Sequence, residues 1–490
     1  MSADHPDRPA ASAADHEAEE RRTTTKVVLI SVVAAIGGFL FGFDTAVING
    51  AVDAVTGQFG LSAFLSGFAV SCALLGAAVG AWFAGRIADR FGRKSVMVLG
   101  GVLFAISAVG SAFAFAVWDL ILWRVVGGIG VGVASVIAPT YIAEVAPAHV
   151  RGRLASLQQL AITVGIFAAL LSDAFIANTA GGAAEDAWLG WEAWRWMFLV
   201  GIIPSLVWAF LALQVPESPR YLIAKGETQR ATDVLREVLG TRNLSALQRK
   251  VADIRASMQR EDEPSLRDLR GPRLGLQPIV WVGLLLSVFQ QAVGINVIFY
   301  YSTSLWRSVG FESDQAFTTS TITSVTNVVV TFIAIATVDR IGRKPLLIAG
   351  SATMFVALAV MSVAFSQSVG TGEDLSLPGA WGPVAVVAAN LFVIGFGATW
   401  GPIVWVLLGE MFPNRIRAAA LAVAAAAQWI ANFTISTTFP PMSEHLGLTF
   451  SYGVYAAFAL LSFFFVLKAV PETKGRELEE MGSEDPARSA

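Results

Sequence analysis

Asp44 is the single charged residue in the apolar run from Val27 to Gly50, and an ionised carboxylate in hydrocarbon is costly unless something neutralises it. The chemistry open to such an acid is the binding and release of a proton. Arg124 is positioned to be its partner. Asp44 lies six residues before the end of its run and Arg124 five residues after Asp119, so at about 1.5 Å per residue both sit roughly 7 to 9 Å below the same surface. Burial favours the neutral carboxyl while a guanidinium favours the carboxylate, so a movement that changes their pairing changes proton affinity. By linkage, protonation then shifts the balance between two conformations. Arg124 stays charged, which leaves Asp44 as the group that titrates. The plainer alternative is a static ion pair tying two helices together.

The elements that hold this pair are membrane spans. Of 490 residues 55% are hydrophobic and 14% charged, against roughly 25% charged in an ordinary soluble domain. Hydropathy over windows of about 20 residues gives six spans near 27–50, 62–86, 95–117, 119–144, 154–178 and 194–215, then six near 275–308, 317–338, 345–367, 382–409, 417–440 and 448–470. The expected organisation is a disordered tail over 1–26, a six-helix bundle over 27–215, a helical insert over 216–273, a second bundle over 274–470 and a tail over 471–490. Lysine and arginine cluster in the loops on one side, together with the insert, which places both termini in the cytoplasm. Cys72 is the one cysteine, so no intrachain disulfide forms. No basic stripe with interleaved aromatics suggests nucleic acid.

The halves repeat. GRIADRFGRKSVM after the second span is echoed by ATVDRIGRKPLLI after the eighth, and Glu144-Val-Ala-Pro147 with Arg151 by Glu410-Met-Phe-Pro413 with Arg417. Two six-helix units from one plan are the expected fold, an all-α integral membrane protein with twelve transmembrane helices in two pseudo-symmetric bundles.

The strings GGFLFGFDTAVING, RVVGGIGVGVASVIAPTYIAEVAPAHVRGRL, PESPRYL, QQAVGINVIFYY, GPIVWVLLGEMFPNRIR and PETKG resemble, in order and spacing, those of the sugar porter branch of the major facilitator superfamily. The resemblance runs from about residue 27 to 475 and is nearest the bacterial xylose-proton and glucose-proton symporters. It implies a monosaccharide carrier working by alternating access in the bacterial plasma membrane, functional as a monomer, with the proton as coupling ion and no other cofactor. It also bears on Asp44: the proton-coupled members resemble this chain in having Asp there, whereas facilitators commonly have Asn.

A sugar ring calls for many hydrogen-bonding groups and an aromatic face. The seventh span offers Gln290, Gln291, Asn296 and Tyr300. In an unbroken helix Gln291 and Asn296 point about 140° apart at 100° per residue, so a break at Gly294 is expected. Gln159, Asn327, Trp405, Gln428, Trp429 and Asn432 match sugar-site positions of the family. Ile166 stands two turns beyond Gln159, where the xylose symporters resemble one another in carrying a second Gln. An apolar residue there favours glucose or another hexose, with xylose or a polyol as the alternative.

Charged residues on the insert side suggest a gate. Asp89, Arg90, Arg93, Glu144, Arg151, Glu217 and Arg220 in the first half, with Asp339, Arg343, Glu410, Arg417 and Glu472 in the second, are expected to form networks when that side closes. Each exposed pair contributes under about 1 kcal/mol. Competing functions are a sugar uniporter, a drug-proton antiporter, which would need a greasier cavity, and a membrane sugar sensor, which would carry a long tail. The four histidines fall in tails or loops and no HExxH, GxSxG or P-loop string occurs, so the chain is not read as an enzyme.

Overall fold

With no water in a bilayer core, each backbone N–H and C=O must find its partner within its own segment, and the apolar runs of this chain form helices throughout. The computed structural model describes residues 13–473 apart from 147, 240–242, 261–265, 272–274, 371–374 and 414–415. Among them the strand-like pairings are two isolated bridges, Asp186 with Glu192 and Val369 with Ser376.

Six spans make the first half: Lys26–Phe59, Ala63–Phe91, Arg93–Ala112, Val117–Val145, Leu157–Ala180 and Ala193–Ala212. The second half contains Pro278–Tyr300, Ser313–Thr337, Arg343–Ser366, Trp381–Met411 and Ala419–Ala469. The last is two crossings. As one rod the 53 residues of Arg417–Ala469 would reach about 80 Å at 1.5 Å per residue, far beyond a bilayer core of about 30 Å. Gly447, at φ 81° and ψ 162°, breaks the helix between the eleventh and twelfth spans.

Between the halves, Pro219–Ala224, Thr228–Leu239 and Leu244–Arg260 pack around Leu222, Ile223, Ala231, Leu235, Leu247 and Val251. Lys26 joins this insert to the start of the first span through Glu237, at 2.8 Å. The end of the molecule bearing the insert is called the insert end below, and the opposite one the far end.

One expectation is corrected. The first helix begins at Ala13, so residues 13–26 are not the disordered tail the charge density suggested. Alanine and glutamate are good helix formers, and extending an existing helix escapes the cost of nucleation. Residues 1–12 and 474–490 lie outside the described residues.

Tight backbone packing makes the first half stiff. A Cβ on Gly128 would lie 1.9 Å from Ala73 O and one on Gly132 2.1 Å from Ala77 O. The fourth span therefore meets the second backbone to backbone, as small residues permit in membranes.

Candidate functional site

Arg124 Nη1 donates to Asp44 Oδ2 at 3.3 Å and to the backbone oxygen of Asp44 at 2.8 Å. The guanidinium is 1% exposed and the carboxylate side chain 14%. The Phe198 ring covers Arg124 at 5.9 Å, which excludes water from that side. Beside Asp44 lies a cavity of about 10 Å³ lined by Leu40, Phe43, Ser107, Phe198 and Ser205 among others, the order of a single water. Gly127 is needed here, because its Cβ would stand 3.0 Å from Asp44 Oδ1.

The seventh span is broken. Its helix ends at Ala292 and resumes at Ile295, with Gly294 at φ 83° between. The break turns Asn296 back toward Gln291, and Asn296 Nδ2 donates to Gln291 Oε1 at 2.5 Å. Gln291 Nε2 reaches Gln290 Oε1 at a long 3.4 Å. Gln290 Nε2 in turn donates to Trp400 O at 2.9 Å and Gly401 O at 3.2 Å. Those carbonyls sit where the tenth span is itself interrupted, by the wide turn Phe396–Trp400 and Pro402. Gln290 is thus placed differently from its neighbours: both amide hydrogens bind the backbone of another span, so it supports the break and offers them to no ligand in this conformation.

Other residues of the expected site gather around the same level. Tyr300 is buried, at 5% exposure, and Asn432 Oδ1 accepts from Ser436 at 3.1 Å. Gln428 Oε1 is buried without a partner among the described residues. Asn327 backs the tenth span, its Oδ1 being 3.2 Å from where a Cβ on Gly397 would lie. Trp429 packs against Phe41 of the first half at 5.9 Å between ring centroids, whereas Trp405 is 43% exposed. Gln159 and Ile166 are half-buried on the fifth span. Sequence reasoning passed over Gln158, whose amide is buried with neither atom partnered among the described residues. A polar side chain inside an apolar span was the signal that could have found it.

Hydrogen bonds between the halves seal the far end. Asn49 Nδ2 donates to Phe299 O at 2.8 Å and Ser302 Oγ at 3.0 Å, and its Oδ1 accepts from Thr303 N at 3.2 Å and from the Thr303 hydroxyl. Asp53 pairs with Arg307 at 2.8 Å and accepts from Ser304 at 2.6 Å. Ser71 and Thr437 share a 2.6 Å bond.

The insert-end charges are arranged twice over. Arg93 grips Glu144 with two bonds of 3.0 Å and Asp89 with one of 3.0 Å, while Glu217 Oε1 accepts from Arg93 N at 2.9 Å. In the second half Arg343 grips Glu410 at 3.0 and 2.8 Å, and Glu472 accepts from Arg343 N at 3.1 Å and Lys344 N at 3.0 Å. Arg417 donates to Phe412 O at 3.2 and 3.0 Å. These bidentate pairs stay within one half in this conformation, in which the far end is the sealed one. The reason is local: each arginine opens a span right after a glycine, Gly92 or Gly342, and finds a glutamate at the end of a neighbouring span. Arg90 is exposed and its backbone oxygen accepts from Tyr221 Oη at 3.2 Å, and Arg220 is half-buried. The side chains of Arg151 and Asp339 lie outside the described residues.

Twelve spans in two mirrored halves, with helices broken at the level of an amide cluster and one end sealed, define a membrane carrier of major facilitator architecture. The chain belongs to the sugar (and other) transporter family, whose profile matches residues 30–484. It is 55% identical over 456 residues to the glucose transport protein of Synechocystis, covering 93% of this chain and 97% of that one. It is 39% identical to the D-xylose-proton symporter of Escherichia coli, covering 92% and 94%. Among solved structures it is similar to the inward open conformation of the xylose transporter XylE from E. coli, with a TM-score of 0.80, 37% identity and coverage of 93% and 99%. The same transporter bound to 6-bromo-6-deoxy-D-glucose matches with a TM-score of 0.74.

Proposed function

We propose that this chain is a proton-coupled sugar symporter that imports glucose or another hexose by alternating access. The observation that carries the reading is the Asp44–Arg124 pair, a titratable acid held at 3.3 Å from a cation that cannot titrate. Asn49, five residues further along the same span, donates to Phe299 O of the second half at 2.8 Å. A change at the acid is therefore five residues from a bond that joins the halves. Asp44 takes a proton from the far side, loosening its hold on Arg124. Sugar then engages Gln159, Gln291, Asn296, Gln428 and Asn432, with Trp405 against its apolar face. The halves rock, and sugar and proton leave at the insert end.

In this reading the insert end is cytoplasmic, as its excess of Lys and Arg supports. Both termini lie there too, the protein resides in the plasma membrane as a functional monomer, and no cofactor beyond the proton takes part. The bundles run over 27–215 and 274–470. Ile166 supports a hexose over xylose. The test is to add sugar to de-energised cells in weakly buffered medium. Alkalinisation in step with uptake is expected, and sugar entry without it would make the chain a uniporter.

A further inference from the structure

The first half holds a second acid that the scheme above does not use. Asp173 lies in the fifth span, seven residues before its end at Ala180, which puts it roughly 10 Å below the far surface at 1.5 Å per residue. Its exposure is 0%. Oδ2 accepts the N–H of Gly50 at 3.3 Å, and Oδ1 has no partner among the described residues. Gly50 is what lets the first span come so close, since a Cβ there would lie 2.7 Å from Asp173 Cβ and 2.8 Å from Oδ2.

Among the described residues no cation pairs with this carboxyl. The elements packed on the fifth span are the first, fourth and eighth spans and Ala193–Val200, and their described charged groups at this end are engaged elsewhere. Asp44 is with Arg124, Asp53 with Arg307 and Arg195 with Glu192. Asp119 accepts from Phe115 N and Asp314 from Gln315 N. An ionised carboxylate with a single long hydrogen bond would carry nearly its full desolvation cost, whereas a neutral acid leaves only one hydroxyl to satisfy. The acid is therefore neutral in this conformation.

Its one partner ties it to the gate. Gly50 follows Asn49, whose amide makes the seal with Phe299, Ser302 and Thr303. Parting the halves at the far end removes those bonds and admits water along Ile48–Phe59 to Gly50 and the carboxyl behind it. We propose that Asp173 is a second proton-binding site, filled while the far end is sealed and emptied to water when that end opens. Only its O–H bond breaks and reforms. By linkage, proton binding at Asp173 closes the far gate, and this holds whichever acid couples the sugar.

The test uses the full-length protein with Asp44→Asn, which removes the other linked acid, together with Cys72→Ala and Thr437→Cys, since Thr437 is 5% exposed in the seal and is reached by a thiol reagent only when the far end opens. Expressed relative to labelling of the unfolded protein at the same pH, which corrects for ionisation of the thiol itself, one linked proton makes labelling rise with pH by up to about tenfold per unit. With Asp173→Asn, an isosteric mimic of the neutral acid, labelling is expected to stay low and to lose that dependence. A parent profile that is flat, or one that Asp173→Asn leaves unchanged, overturns the proposal. Infrared spectra supply a second readout independent of gating: the carbonyl band of a protonated acid is expected in Asp44→Asn protein and lost in the Asp44→Asn, Asp173→Asn double variant. Its absence from the single variant would also overturn the proposal.

Discussion

Asn296 donates to Gln291 across a break in its own helix, at 2.5 Å, and Gly294 at φ 83° makes that contact possible. Gly294→Ala would place a Cβ 2.7 Å from the Tyr455 ring in a left-handed conformation costing about 1–2 kcal/mol. The expected result is a lower melting temperature in detergent together with weakened sugar binding, measured by equilibrium dialysis. Sugar affinity equal to that of the parent would mean that the break does not build the site.

Asp44→Asn removes the titrating group while keeping its shape. Accumulation driven by a pH gradient in proteoliposomes is expected to vanish, with exchange of sugar across the membrane retained. Loss of exchange as well would assign Asp44 a structural role.

The seal at the far end is unevenly built. Asn49 is 1% exposed and its Ala variant loses four bonds, a shift of about 4 kcal/mol at a typical net value of about 1 kcal/mol each, or roughly a thousandfold toward the open far end. Asp53 and Arg307 are 37% and 47% exposed, so Asp53→Asn should shift the same equilibrium by under about 1 kcal/mol. Distance measurements between labels on the two halves would rank the variants, and the reverse order would contradict this account.

The two mirrored clamps should also differ in strength. Arg93 and Glu144 are 10% and 9% exposed, while Glu410 opposite Arg343 is 30% exposed. Removing one partner from a buried pair costs about 3–5 kcal/mol. Arg93→Met is therefore expected to lower the detergent melting temperature more than Arg343→Met, and equal losses would show that burial does not set the cost.

Much of this architecture was readable because the bilayer leaves few choices. Apolar runs of about 20 residues must be helices, and the mismatch between Gln291 and Asn296 in an ideal helix pointed to Gly294 before any coordinates. What could not be read was partnership. Gln290 belongs to an amide-rich cluster by sequence, yet its partners are carbonyls freed by a break more than a hundred residues away. The charges at Arg93, Glu144, Arg343 and Glu410 were located but not their pairing, since spacing does not say whether an arginine turns to its own half or to the other. Asp173 was legible by the same rule that picked out Asp44, one charge in an apolar span.

The clamps of Arg93 on Glu144 and of Arg343 on Glu410 each fasten spans belonging to a single half, while Asn49, Asp53 and Ser71 join one half to the other at the far end. Chain continuity is then dispensable. Two fragments, expressed separately and divided after Arg260, should find each other in the membrane and reconstitute a working carrier.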